Sequence, residues 1–85
     1  MKIVFDPAKD HANLAKHGVS LGRAADMEMA AVIEDDRQNY GEARYRAFGF
    51  IDGVAHCLAF TTRGETIRAI SLRRAHAKEI KRYAP

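Results

Sequence analysis

Arginines are the residues of this 85-residue chain best suited to chemistry, and they supply nine of its fourteen basic side chains. A guanidinium is planar, permanently charged and able to grip a phosphate with two parallel N–H groups, which an ammonium cannot do. Placement matters more than number. Arg68 interrupts TIRAISLR, where Ile67, Ile70 and Leu72 are apolar, and Arg73 and Arg74 follow close behind. Arg44 and Arg46 punctuate a second strand-like stretch, RYRAFGFI, and Arg63 stands next to Gly64 in a candidate turn.

The turns that must position these arginines can be read from the sequence. RYRAFGFI ends at Asp52–Gly53, a strong signal for a two-residue hairpin, and VAHCLAFTT ends at Arg63–Gly64, a second candidate of the same kind. With both as two-residue loops, Ile51 faces Val54, Arg46 faces Ala59, Phe60 faces Ile67 and Ala59 faces Arg68. Residues directly opposed share a face, and faces alternate along each strand. One face then carries Tyr45, Phe60 and Ile67 beside Ala47, Leu58 and Ala69, with Gly49, His56 and Ser71 as the next row. The other carries Arg46, Ala59 and Arg68 in one row, flanked by Arg44, Thr61 and Thr66 on one side and Phe48, Cys57 and Ile70 on the other. Strands lie ~4.8 Å apart, so two guanidiniums would repel one another across a shallow floor. A polyanion laid over them would relieve that repulsion. The other reading is that they pair with Glu42 or Glu65 and only solubilise the surface. A slip of one residue in the second turn would move every side chain of the third strand to the opposite face.

The remaining elements follow from capping and period. KIVF reads as a short strand. Asp6 caps a helix with Pro7 at its first position, and Gly18 closes that helix after AKDHANLAKH. Ser20 can cap a second helix, LGRAADMEMA, with Leu21, Ala24, Ala25 and Met29 on its apolar side. VIEDDRQNYGEA reads as a short extended piece and a polar loop, with Glu34–Asp36 as a solvated turn. A last helix is expected from about Arg74 to Tyr83. On it Glu79 and Tyr83, and Lys78 and Arg82, are i,i+4 neighbours. Tyr83 can stack on a base, serve as a weak acid–base group, or simply pack. The expected architecture is α+β: an N-terminal strand and two helices, a three-stranded antiparallel meander and a C-terminal helix, with the helices on one side of the sheet.

Composition bounds the partners. The length allows one domain, residues 1–85, and at this size roughly 60% of the unfolded chain's surface is buried on folding. Net charge is +3 but uneven: residues 1–36 carry four basic and seven acidic side chains, residues 37–85 ten and four. The basic half favours a polyanion, nucleic acid before an acidic protein. The single cysteine, Cys57, cannot form an internal disulfide and reads as a small buried hydrophobe in a reducing compartment. No apolar run reaches the ~20 residues of a membrane span and no signal-peptide pattern is present, so a cytoplasmic protein is expected. His11, His17, His56 and His76 fall on different elements. No metal-ligand spacing results, and a pair of catalytic histidines is not expected.

FDPAKDHANLAKHGVS resembles the signature of BrnT-type toxins, through Phe5, Asp6, Lys9, Asn13, Lys16, His17, Gly18, Val19 and Ser20. The second half is similar too, at Glu42, Arg44 and Tyr45, at Gly49, at Phe60–Thr61 and at Arg63–Gly64. Its most specific block is Ile67, Arg68, Ile70, Ser71, Arg73, Arg74 and Ala75, followed by Glu79 and Tyr83. Departures are Leu21, where an aromatic is usual, and Phe5 in place of the commoner tryptophan; both touch packing rather than charge. The resemblance implies a RelE-like fold and a toxin of a type II toxin–antitoxin pair that cuts RNA and halts translation. It also implies neutralisation by a ribbon-helix-helix antitoxin (BrnA-like), with operator DNA bound only through the complex. On that reading Arg46 and Arg68 hold the scissile phosphate and its developing charge. Arg73 or Arg74 takes a neighbouring phosphate, Arg44 and Arg63 add RNA contacts, and Glu42 or Tyr83 moves a proton, without metal or cofactor. The competing reading is a non-catalytic basic module that binds nucleic acid or docks an antitoxin through the same arginines.

Overall fold

The computed structural model describes residues 2–85. In chain order these form β1 (Lys2–Val4), α1 (Pro7–His17), a 3₁₀ segment (Leu21–Asp26), β2 (Glu28–Glu34), β3 (Tyr45–Ile51), β4 (Val54–Arg63), β5 (Thr66–Arg74) and α2 (Ala77–Tyr83). The sheet has five strands in the order β1-β5-β4-β3-β2; β1 runs parallel to β5, and every other pair is antiparallel. The fold is α+β as expected, but the meander is only the centre of a mixed sheet.

Helix α1 forms as its ends dictate. The Asp6 carboxylate accepts the Ala8 N–H at 2.8 Å, Pro7 takes the first turn, and Gly18 (φ 72°) donates its N–H to the Leu14 carbonyl. The expected second helix is cut short. Ser20 caps only the 3₁₀ segment, and from Glu28 the chain is extended and hydrogen-bonded to β3. Sheet pairing here outweighs the helix propensity of an alanine-rich run. The helix expected from Arg74 begins at Ala77, because Arg74 is still paired with His56.

The first hairpin is as the sequence predicts. Asp52 and Gly53 have positive φ (51° and 76°), Ile51 faces Val54 and Arg46 faces Ala59. The second is not. Its loop residues are Gly64 and Glu65, so Arg63 faces Thr66, Thr61 faces Arg68 and Phe60 faces Ala69. Ile70 then has no partner, and beyond this bulge Ala59 faces Ser71, Leu58 faces Leu72, Cys57 faces Arg73 and His56 faces Arg74. The row Arg46–Ala59–Arg68 therefore does not form; Ser71 takes the third place. The extra residue also resets alternation, returning Leu72 to the face of Ile67 and Ala69 and placing Arg73 on the Arg46 face and Arg74 on the other.

The core lies between one face of the sheet and the α1–3₁₀ layer. Leu21, Leu58 and Leu72 are fully buried there with Phe60, Ile67, Ala69, Ala47, Ile51 and Ala24. β1 pairs with β5 only as far as Arg68, so the β5 edge beyond it needs other partners. The Asn13 side chain supplies them: its amide accepts the Leu72 N–H at 3.0 Å and donates to the Leu72 carbonyl at 2.8 Å. It also donates to the Val19 carbonyl at 2.9 Å, tying the end of α1 to the sheet. The other face is covered by α2 rather than left open, so the helices do not all lie on one side.

Candidate functional site

Alternation puts Arg46, Phe48, Cys57 and Arg73 on the α2 face. Phe48 and Cys57 are buried, and burial pushes the Cys57 thiol's pKa up, as expected of a small core hydrophobe. Tyr83 of α2 stacks on Phe48 with ring centroids 5.1 Å apart. The Arg46 guanidinium lies 5.6 Å from the Tyr83 ring and 5.7 Å from Phe48, within cation–π range of both. Its side chain is only 12% exposed, and its Nε is buried without a hydrogen-bond partner.

Glu79, four residues before Tyr83, is the counter-charge. Its carboxylate accepts two N–H groups of Arg73, at 2.8 and 3.0 Å, and the His76 backbone N–H at 2.8 Å. Hydrogen bonding from Arg73 holds its pKa down at about 2. Arg73 also donates to the Arg74 carbonyl, so it is largely committed. Arg46 is not: its nearest approach to Glu79 is 3.9 Å, beyond hydrogen-bond length. Arg46, Lys78, Glu79, Arg82 and Tyr83 line a cavity of about 330 Å³. The cavity thus holds a largely buried, incompletely satisfied guanidinium beside a phenol, with two further cations at the rim; the Arg44 Nε, outside this cavity, is likewise buried without a partner. Such an arrangement can bind a phosphate and stabilise added negative charge on it.

Of the residues expected at a site, Arg46 and Tyr83 meet in this cavity, and Arg73 supports it through Glu79. Arg68 stays on the same face but opposite Thr61, and does not line the cavity. Glu42 lies before β3, 3.9 Å from Arg44, whose guanidinium sits 4.2 Å over the Tyr40 ring. Arg63 is exposed at the strand end, and Arg74 is exposed on the α1 face. Two features escaped the sequence reading. Glu79 stands in the resemblance and as a helix neighbour of Tyr83 but carries no site role there; its position three residues after the helix N-cap was the available signal. The Glu34–Asp36 run is not simply a solvated turn. Asp35 is buried and grips Arg37 at 2.7 and 2.8 Å, and Arg37 holds its carboxyl well below the usual range.

His17 and His56 lie on different elements, as read, yet they line one cavity together, on the face opposite Arg46. Among the described residues no group of three or more His, Cys, Asp or Glu could hold a metal ion. No helix among them is long and apolar enough to cross a membrane. Residues 5–79 match the family described as "Ribonuclease toxin, BrnT, of type II toxin-antitoxin system". No curated protein matches the chain.

Proposed function

The chain belongs to the BrnT family of ribonuclease toxins of type II toxin–antitoxin systems, and from that premise we propose that it cleaves RNA at the Arg46–Tyr83 cavity without a metal ion. The observation that carries this reading is Arg46, nearly buried, with an unpartnered Nε, beside a phenol in a cavity where Lys78 and Arg82 add positive charge and the one carboxylate, Glu79, is taken up by Arg73. Cleavage needs the 2′-hydroxyl to give up its proton, here to solvent water, as its oxygen attacks the adjacent phosphorus, the added charge to be stabilised, and the leaving 5′-oxygen to gain a proton, which water then restores to the donor. Arg46 binds the phosphate and carries the developing charge. Arg73 and Glu79 position α2 so that Tyr83 reaches the cavity, where its hydroxyl supplies the proton to the 5′-oxygen. Lys78 and Arg82 take flanking phosphates. Arg68, Arg44 and Arg63 extend the same basic surface to neighbouring nucleotides, and Glu42 is an exposed carboxylate on the loop leading into β3. Positioning and electrostatics provide most of the rate, with proton transfer a smaller part.

The fold assigned with this activity is RelE-like, and the activity halts translation in the cytoplasm. The partner is a ribbon-helix-helix antitoxin that covers the basic face and carries the complex to operator DNA. The deciding experiment is cleavage of purified RNA in EDTA by wild type and Arg46→Ala, repeated with translating ribosomes. Cleavage by wild type that Arg46→Ala loses supports the assignment. Equal cleavage by both moves the site elsewhere. RNA binding without cleavage under either condition favours the non-catalytic module.

A further inference from the structure

The cavity on the opposite face, about 440 Å³, opens between the C-terminal end of α1 and the β3–β4 hairpin. His56 lines it and is only 7% exposed. Its Nδ1 lies 2.8 Å from the Val54 carbonyl oxygen, which can only accept, so Nδ1 carries the proton. Nε2 has no hydrogen-bond partner among the described residues and is left to the cavity. Directly across from His56 on β5 is Arg74, exposed and in no ion pair among those residues. His17, from the last turn of α1, completes the group.

The surrounding charges do not cancel this cluster. Asp52, the one carboxylate on the cavity wall, is bound to Arg23 at 2.7 Å, and Asp26 holds the same guanidinium at 3.0 Å. Burial first, then Lys16 and Arg73, push the His17 pKa down, so the imidazole sits in a positive field without an anion to balance it. The end of α1 presents the negative pole of its dipole here, so the attraction must come from side chains rather than from the helix.

We infer that this cavity is a phosphate-binding site, in which the Arg74 guanidinium grips the anion and the imidazoles of His56 and His17 hydrogen-bond to it. It is separate from the Arg46 cavity and does not rest on the ribonuclease reading. The Ile70 bulge is what creates it, by shifting the alternation so that Arg74, and not Arg73, falls on the His56 face. A phosphate at the end of an RNA chain, a phosphate within the backbone and free phosphate share this chemistry.

The test is a titration of the whole chain with inorganic phosphate, in a phosphate-free buffer, followed by NMR of the histidine side chains. Saturable shifts are expected at His56 and His17 but not at His11 or His76. Arg74→Gln should weaken binding at least about tenfold, the usual scale for a hydrogen bond to a charged group. Arg46→Ala should leave it unchanged. Arg74 is exposed, so Arg74→Gln should fold, which circular dichroism checks, and Arg74→Lys is a second variant expected to retain weaker binding. No saturable shift at His56, equal shifts at all four histidines, or full affinity in Arg74→Gln would each overturn the inference. Competition then separates the sources. Displacement by a nucleoside 5′-monophosphate alone assigns the site to chain ends. Displacement also by an RNA without terminal phosphate assigns it to the backbone, and displacement by neither leaves free phosphate.

Discussion

The two faces of the sheet are built from the same strands and treat polar groups in opposite ways. On the α1 face the buried amide of Asn13 is spent on satisfying backbone, aliphatic side chains and Phe60 fill most of the rest, and buried His56, at the hairpin end, keeps a free ring nitrogen. On the α2 face an arginine is buried with part of its hydrogen-bonding capacity unused, and the cover is a helix of seven residues with no buried residue of its own. Such a helix is too short to persist alone and is held by Glu79 and Tyr83. On the proposed reading the difference is a division of labour: the apolar cluster of the α1 face stabilises the domain, and the α2 face retains a costly charge for chemistry. Period-two alternation makes this possible, because adjacent residues of one strand, such as Arg46 and Ala47, serve opposite faces.

The comparison breaks most readily at its two strongest points. Leu58→Ala on the α1 face should cost about 2–5 kcal/mol of stability, because a fully buried leucine leaves a cavity. Chemical denaturation measures it, and a loss no larger than that of an exposed-site variant would mean this face is not the main support. Arg46→Ala on the α2 face should do the reverse. Losing one charge-stabilising contact raises a barrier by about 2.7–4 kcal/mol. RNA cleavage should therefore fall by orders of magnitude while the denaturation midpoint moves little. A large stability loss with cleavage intact would make Arg46 structural and erase the division.

How far this division can be read from the sequence depends on how local its causes are. The cap at Asp6, the stop at Gly18 and the Asp52–Gly53 turn are local, and the residues that specify them gave α1 and the β3–β4 register without error. Strand β2 is not local. EMAAVIE forms a strand because the edge of β3 is there to pair with, which no property of its own alanines announces. The Ile70 bulge is hidden for a similar reason. TIRAISLRR alternates plausibly with or without an extra residue, and carries no glycine or proline at the irregularity. Mislocating the second turn by one residue on each strand preserved the face of Arg68 but lost its partner. Arg46 and Tyr83 were legible as types; that they share a cavity with Glu79, and that His17 and His56 share another, depended on those long-range pairings.

Asn13 tests the stabilising face more finely. Asn13→Ala removes partners from the Leu72 N–H, the Leu72 carbonyl and the Val19 carbonyl. A buried polar group left unpaired costs about 1–3 kcal/mol, with some recovery if water enters. The expected loss is of that order, measured by thermal or chemical unfolding. Asn13→Asp should not rescue it, since a carboxylate can accept from Leu72 N–H but cannot donate to either carbonyl. Hydrogen exchange at Leu72 should quicken in both variants while exchange in β3 stays slow. Uniform acceleration would show that Asn13 acts on the whole fold rather than on one strand edge.

The smallest expected effect is also the most selective, and it concerns Glu79. Its folded pKa is about 2 against an ordinary 4.5, chiefly through hydrogen bonds from Arg73. A folded value below the unfolded one means the stabilisation is complete above about pH 4.5 and is lost as pH falls toward 2. In that window α2 should loosen from Arg73 and Arg46 before the α1 face melts, since no carboxylate belongs to the apolar cluster. Asp35 also has a depressed pKa, through Arg37, but remains present when Glu79 is changed. Subtracting the pH profile of Glu79→Gln from that of wild type therefore isolates Glu79. The difference should appear between pH 4.5 and 2 in the signal of Tyr83, read with Tyr40 and Tyr45 replaced by phenylalanine, and not in hydrogen exchange of Leu58 or Leu72. If both faces respond together, the α2 face is part of one cooperative unit and the division is of chemistry alone.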